Sequence, residues 1–297
     1  MHHASMDDTT SVDVLVQNDR VDSLSLVGAI LEHPECPRQI PPLAESSKGL
    51  IRLPEKNRRN PRFLAFVAQK DPVFLARLLC MTTLGECAEA GCHATDAEEA
   101  IAILGVAKSL SVMMESASFT LPAFASTEIG SRFLVAQRMI LSRCVTHSMT
   151  AKRLTAYLDL GDVQAARLQI CCLLDSLGLL VGLYGNKDLS MRLQEELLDI
   201  AASGAITDPL ADSHVLHDYW RLAHYLARLW GAEWAVQEIL RAEKSPIHVL
   251  VSVVEKLIAA KRKGESQMAV LHAILKRHAS LTSRMGIEEI DLAVLPW

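Results

Sequence analysis

Aromatic side chains are scarce: Phe, Trp and Tyr are 5% of the 297 residues, although AVILMFWYC together make up 50%. With Leu and Ala abundant, the balance is that of a helical protein built on aliphatic packing. A basic excess is also missing. The net charge is -5 and the pI is about 6.1, which excludes a dedicated nucleic-acid binder with its usual basic footprint. The opening "MHHASMDDTTSVDV" has no apolar stretch, so no signal peptide is expected. The longest apolar run, Leu168 to Tyr184, reads as too short and too interrupted to span about 30 Å of hydrocarbon. No Gly-rich phosphate loop, G-x-S-x-G elbow or H-E-x-x-H pattern is present. Seven Cys is an odd number, and Cys80, Cys171 and Cys172 lie in apolar surroundings, which fits reduced core thiols in a cytosol better than a disulfide framework.

What is present is a chain long enough for one large domain or two modest ones, with a mean hydropathy of +0.19 and ample apolar surface. Four helix starts use one device, a polar capping residue followed by Pro: Asn60-Pro61, Asp71-Pro72, Asp208-Pro209 and Ser245-Pro246. Asp96 with Glu99 has the spacing of a capping box. Gly91, Gly161, Gly204 and Gly231 fall where helices would stop or turn. The apolar spacing predicts helices over 22–33, 43–52, 61–69, 72–84, 96–104, 107–115, 127–157, 162–182, 187–203, 212–230, 232–244, 246–263 and 266–280. Only "VDVLV" and the last few residues look strand-like. The fold class is therefore all-α. No repeat of solenoid length recurs. "SFTLPAFAST" divides a tail (1–20), an N-terminal helical group (21–126) and a C-terminal one (127–297), or 21–297 forms one unit.

Several clusters have competing readings. "CAEAGCH" brings Cys87, Cys92 and His93 together, but no second pair follows, and a loop of small residues is the plainer account. His214, His217 and His224 share one helical stripe, read as exposed and polar rather than as a metal site. "PEKNRRNPR" puts Arg58, Arg59 and Arg62 at a helix start, where a phosphate or a partner's anion would dock; a solvated charge run is the alternative. Lys261, Arg262 and Lys263 suit a helix C-terminus. Trp220, Trp230 and Trp234 crowd one region with Tyr219 and Tyr225, as core packing or as a pocket or partner surface.

Two segments are more specific: "QKDPVFLARLLCMTTLG" (69–85) and "ATDAEEAIAILGVAKSLSVMM" (94–114). A D-P capped helix with "LARLL", a turn of small residues and then "AI-x-x-LG" resembles the HDOD family of bacterial regulatory output domains, which are related to HD-type metal phosphohydrolases. "QIPPLAESSKGLIRL" resembles the family's opening Pro-containing helix. The likeness continues through "THSMTAKRLTAYL", "CCLLDSLGLL" and "HDYWRLAHYLARLWGAEWAVQEIL", covering about residues 40 to 265. Met81, Thr82 and Thr83 stand where the family often has Asn-Ser-Ala.

The resemblance implies a lost metal centre. HD phosphohydrolases carry "LLHDIG", whose adjacent His and Asp hold a metal that activates water. Aligning Gly178 with that Gly puts Asp175 at the His position and Ser176 at the Asp position. The family's first His falls on His147 and its last Asp on Glu255, while Ala242 and Glu243 occupy the region of its paired His. His147, Asp175, Ser176 and Glu255 thus mark vestigial positions with too few ligands for a borderline transition metal. Asp175, as a buried acid, is expected to be tied to His147 or to a helix-end donor.

The expected function is a non-catalytic bacterial, cytoplasmic signal-transduction protein that takes no cofactor and binds neither nucleic acid nor membrane. Its partner would be another signalling protein or a small ligand such as a cyclic dinucleotide, because receiver, GAF, GGDEF or EAL modules that accompany such domains have no room here. The alternatives are a metal-dependent phosphohydrolase with a rearranged site and a plain helical adaptor.

Overall fold

Helices begin where short polar side chains meet the free N–H groups of a first turn. Asn60 Oδ1 accepts from the Arg62 amide at 3.0 Å, and Asp71 Oδ1 from Val73 at 2.9 Å and Phe74 at 3.4 Å. In both, Pro occupies the first helical position, where no N–H is needed. Asp96 caps Glu98 and Glu99 in the same way. Glu99 does not close a box onto Asp96, however. Its carboxylate accepts from the amide and hydroxyl of Thr95 at 2.8 and 2.9 Å, so the lock lies one residue earlier than the sequence suggests.

The computed structural model describes residues 25–119, 130–202, 215–216, 218–240 and 246–277. These are all-helical, with no strand among the described residues. The helices are α1 (Leu26–Glu32), α2 (Ala44–Arg52), α3 (Glu55–Arg58), α4 (Pro61–Lys70), α5 (Pro72–Thr82), α6 (Gly85–Glu89), α7 (Ala97–Leu104), α8 (Val106–Ala117), α9 (Gly130–Tyr157), α10 (Asp162–Tyr184), α11 (Lys187–Ala202), α12 (Trp220–Leu229), α13 (Glu233–Leu240), α14 (Pro246–Lys263) and α15 (Gln267–Arg277). The short α3 and α6 are not expected from apolar spacing, and α12 starts only at Trp220, with a turn at Asp218 and Tyr219 in place of helix. "VDVLV", "SFTLPAFAST" from 120 onward, Asp208-Pro209, Ser245, the 1–20 tail and the last residues lie outside the described residues.

Every residue from Leu168 to Tyr184 is buried, which makes α10 the axis of the structure. It packs against α9, α12, α11, α14 and α5. At 1.5 Å per residue the 23 residues of α10 extend about 34 Å, so the whole helix, though not the run Leu168 to Tyr184 alone, is long and apolar enough to cross a membrane by length and composition. Other helices cover it instead: 94% of its most apolar window is buried. Each fully buried Leu on it contributes roughly 1.5–3 kcal/mol relative to exposure.

Helices α2, α4, α5, α7 and α8 pack on one another, and α5 joins this group to α10. Gly105, at φ 77°, allows the 116° bend between α7 and α8. Apolar residues from Leu26 to Ile274 form one continuous core. The sequence division at 21–126 is not followed by packing at its start, since α1 docks on α11, α12 and α10 rather than on the other N-terminal helices.

At Gly178 the backbones of α10 and α12 meet. A Cβ there would stand 2.4 Å from the Ala223 nitrogen and 2.7 Å from its Cα. The Gly that anchors the alignment with "LLHDIG" is thus required by close helix approach.

Candidate functional site

Helix α10 carries four buried polar side chains in its apolar length, and α9 meets each. Tyr184 accepts from Gln137 Nε2 at 2.6 Å. Asp175 Oδ2 accepts from Arg143 Nη2 at 3.1 Å. Ser176 Oγ lies 3.4 Å from His147 Nδ1, and Gln169 Nε2 donates to Ser148 Oγ. The residue pairs run in opposite directions along the two helices, so this polar seam fixes their antiparallel register. A one-turn slip would leave several of these groups desolvated without partners, at about 1–3 kcal/mol each.

The seam separates the four residues that the sequence grouped. His147 and Ser176 form one rung. Asp175 and Glu255 form another centre, organised by Arg143, whose Nη2 is 3.1 Å from Asp175 and 3.5 Å from Glu255. The expectation that Asp175 would pair with His147 or a helix end is corrected: Asp175 is mid-helix, and Arg143 is its cation. Arg143 Nη2 also donates to the Tyr219 hydroxyl at 3.1 Å. That hydroxyl is 3.4 Å from both Asp175 Oδ2 and Glu255 Oε1, so its single hydrogen serves one carboxylate at a time. The side chains of Asp175 and Arg143 are 8% and 11% exposed and that of Glu255 is 23% exposed. Burial, together with nearby Arg143 and Arg262, holds the His147 imidazole well below its usual pKa, which keeps it neutral.

Sequence reasoning missed Arg143. A signal was available: it precedes His147 by one helical turn and directly adjoins Cys144, on the side of α9 that buries Ile140, Cys144 and Ala151. An Arg beside a buried stripe calls for an acid across the interface.

This charge centre borders a cavity of about 410 Å³. Asp175 and Cys171 contribute from α10, Tyr219 and Trp220 from the start of α12, Glu238 from α13, and His248, Ser252 and Glu255 from α14. Ile247 and Val251 supply an apolar wall. Burial pushes the Cys171 thiol pKa up, so it stays protonated. Glu238 meets Arg167 at 3.4 Å. Such a volume, mostly apolar with a few convergent polar groups, is that of a small-molecule site.

The remaining candidates separate. Among the described residues no group of three or more His, Cys, Asp or Glu side chains is placed to hold a metal ion; Cys87, Cys92 and His93 form no such group. All seven thiols are free, with Cys80, Cys144, Cys171 and Cys172 buried. His214 and His217 lie outside the described residues. His224 is not on an exposed stripe: it is 8% exposed, with its ring 4.8 Å from that of Trp220. Arg59 is tied to Glu55 at 2.6 Å, and the Arg62 amide is taken by Asn60, so the arginine patch holds a local ion pair and an occupied cap. Arg58 is half-buried beside them. Trp230 is core, with Arg77 over its ring. Trp234 donates to Thr83 Oγ1 at 3.0 Å, which pins α13 to the end of α5. Lys261, Arg262 and Lys263 occupy the last turn of α14, where the helix dipole favours cations.

Comparison with family models, with curated proteins and with solved structures finds no match to this chain. The site is therefore read from its own geometry.

Proposed function

We propose that the chain is a non-catalytic, HDOD-like regulatory protein, a bacterial cytoplasmic signal-transduction component that works by binding a signalling partner or a small ligand at the α10–α14 cavity. In this reading the helices from α2 to α8 are the N-terminal subdomain, packed on a degenerate HD-like bundle. One observation carries the proposal: a fixed guanidinium lies between Asp175 and Glu255, where an HD-type ancestry would place a metal ion. Arg143 bridges the two acids that remain of the ligand set, and Ser176 supplies a hydroxyl in place of a carboxylate. The donors present do not fit an HD-type metal centre.

Metal analysis of the purified full chain, paired with an assay of bis(p-nitrophenyl) phosphate hydrolysis, tests the proposal. No stoichiometric metal and no turnover above background are expected. Stoichiometric iron, manganese or zinc, with hydrolysis abolished by Asp175→Ala, would replace it with a metal-dependent phosphohydrolase. Thermal-shift screening separates a ligand sensor from a helical adaptor, because a ligand that binds only the folded state raises apparent stability.

A further inference from the structure

Positive charge is concentrated away from the cavity, on α2, α3 and α4. Residues 48–70 hold seven Lys and Arg and one acid, Glu55, in a chain whose net charge is -5. We infer that the exposed surface of these three helices docks an acidic peptide segment of a partner protein. None of the three lines the cavity, so the inference holds whether or not the cavity takes a small ligand.

The two longer helices repeat one arrangement, an apolar side chain held in solvent between two bases. On α2, Ile51 is 47% exposed between Lys48 and Arg52; on α4, Phe66 is 51% exposed between Arg62 and Lys70. Arg62, Phe66 and Lys70 recur every four residues and form a row about 12 Å long, on the side of α4 opposite its buried Leu64, Ala65, Val67 and Ala68. Helices α2 and α3 both pack against α4. Glu55 meets Arg59 at 2.6 Å, and among the described residues no acid pairs with Lys48, Arg52, Lys56 or Arg62. The acid of α2, Glu45, lies in its first turn.

This chemistry selects the occupant. Guanidinium forks bind carboxylates through paired N–H groups, and exposed Phe and Ile give a partner's apolar side chain a place to leave water. Lys70 Nζ lies 4.0 Å over the Phe66 ring, and the Phe63 ring is tilted 42° to it at 6.4 Å, which makes a poor platform for the stacked bases of a single strand. Two half-exposed apolar side chains on separate helices give little to insert into a membrane. A short acidic segment with an apolar side chain among its carboxylates matches the row in both charge and length.

Fluorescence anisotropy of the full chain with a labelled short peptide of Glu and Leu tests this, beside a counterpart in which Lys replaces half the Glu, an oligothymidylate, and phosphatidylserine–phosphatidylcholine vesicles. The Glu–Leu peptide is expected to bind, more weakly with added salt, and the other three are not. Binding should fall about tenfold in Arg62→Glu and in Phe66→Ala. Arg153→Glu, an equal charge change at an exposed base on α9, should alter it by less than about twofold. Circular dichroism checks that all three variants fold. Equal weakening by Arg62→Glu and Arg153→Glu overturns the inference as diffuse attraction, and equal binding of the Lys-containing peptide overturns its charge selectivity. Binding of oligothymidylate or vesicles in place of the acidic peptide, lost in Phe66→Ala, overturns it in favour of a nucleic-acid or membrane surface. Binding of no probe also overturns it.

Discussion

Asp71, wholly buried, accepts from the backbone amides of Val73, Phe74 and, at 2.7 Å, Leu43. Asp175, also buried, meets a guanidinium and a phenol and borders a cavity. The first acid joins the start of α5 to the start of α2 chiefly through backbone amides, which side-chain substitutions other than to Pro leave in place. The second is held by side chains that can change rotamer or exchange for a ligand. Amide-held acids therefore belong to the fold, whereas acids held by side chains at a cavity wall are where function is to be sought.

The largest expected effect breaks the second arrangement. Arg143→Met should cost about 3–5 kcal/mol in urea unfolding, because it removes the guanidinium that faces a buried carboxylate, and Asp175→Asn in the same chain should restore part of that. A loss below about 1 kcal/mol would show that Asp175 is not held by Arg143, and the contrast with Asp71 would fail. Asp71→Ala comes next, at about 2 kcal/mol, from a lost cap and an unsatisfied Leu43 amide; faster hydrogen exchange at Leu43 would be its signature.

The pH dependence is smaller and has a definite sign. Burial depresses the pKa of His147, and burial with nearby Arg228 pushes His224 down to about 4. The unfolded chain then binds more protons below about pH 6.5, so stability falls as pH drops from there. Thermal melts from pH 7.5 to 4.5 should show this fall, with a shallower slope in His147→Gln. Asp71 acts oppositely: burial outweighs its amide bonds and raises its pKa, so its contribution is full below the ordinary carboxylate value and is lost as pH rises through the raised one. Glu255→Gln should be the mildest change, below about 1 kcal/mol in stability because its side chain is partly exposed. Its consequence is for the cavity's charge.

Local chemistry explains what was legible in the sequence. Asn60-Pro61 and Asp71-Pro72 announce their helices because cap and amide are neighbours, and the apolar spacing of α10 announces the core. The Asp71 bond to Leu43 spans 28 residues, and the Arg143 contacts with Asp175 and Glu255 span 32 and 112. No spacing rule reaches that far. The resemblance grouped His147, Asp175, Ser176 and Glu255, but it could not foresee that Arg143 would face Asp175 and Glu255 while His147 faces Ser176. Trp220 and Tyr219 read as packing or pocket from sequence alone, and only the position of α14 puts them on a cavity wall.

The backbone contact at Gly178 limits how this chamber can change. Because α12 rests directly on α10 at Gly178 with no side chain between them there, the floor and the aromatic rim are tied by a backbone contact. Variation in what the chamber admits must come from the opposite side, where α14 presents Val251, Ser252 and Glu255 without such a constraint.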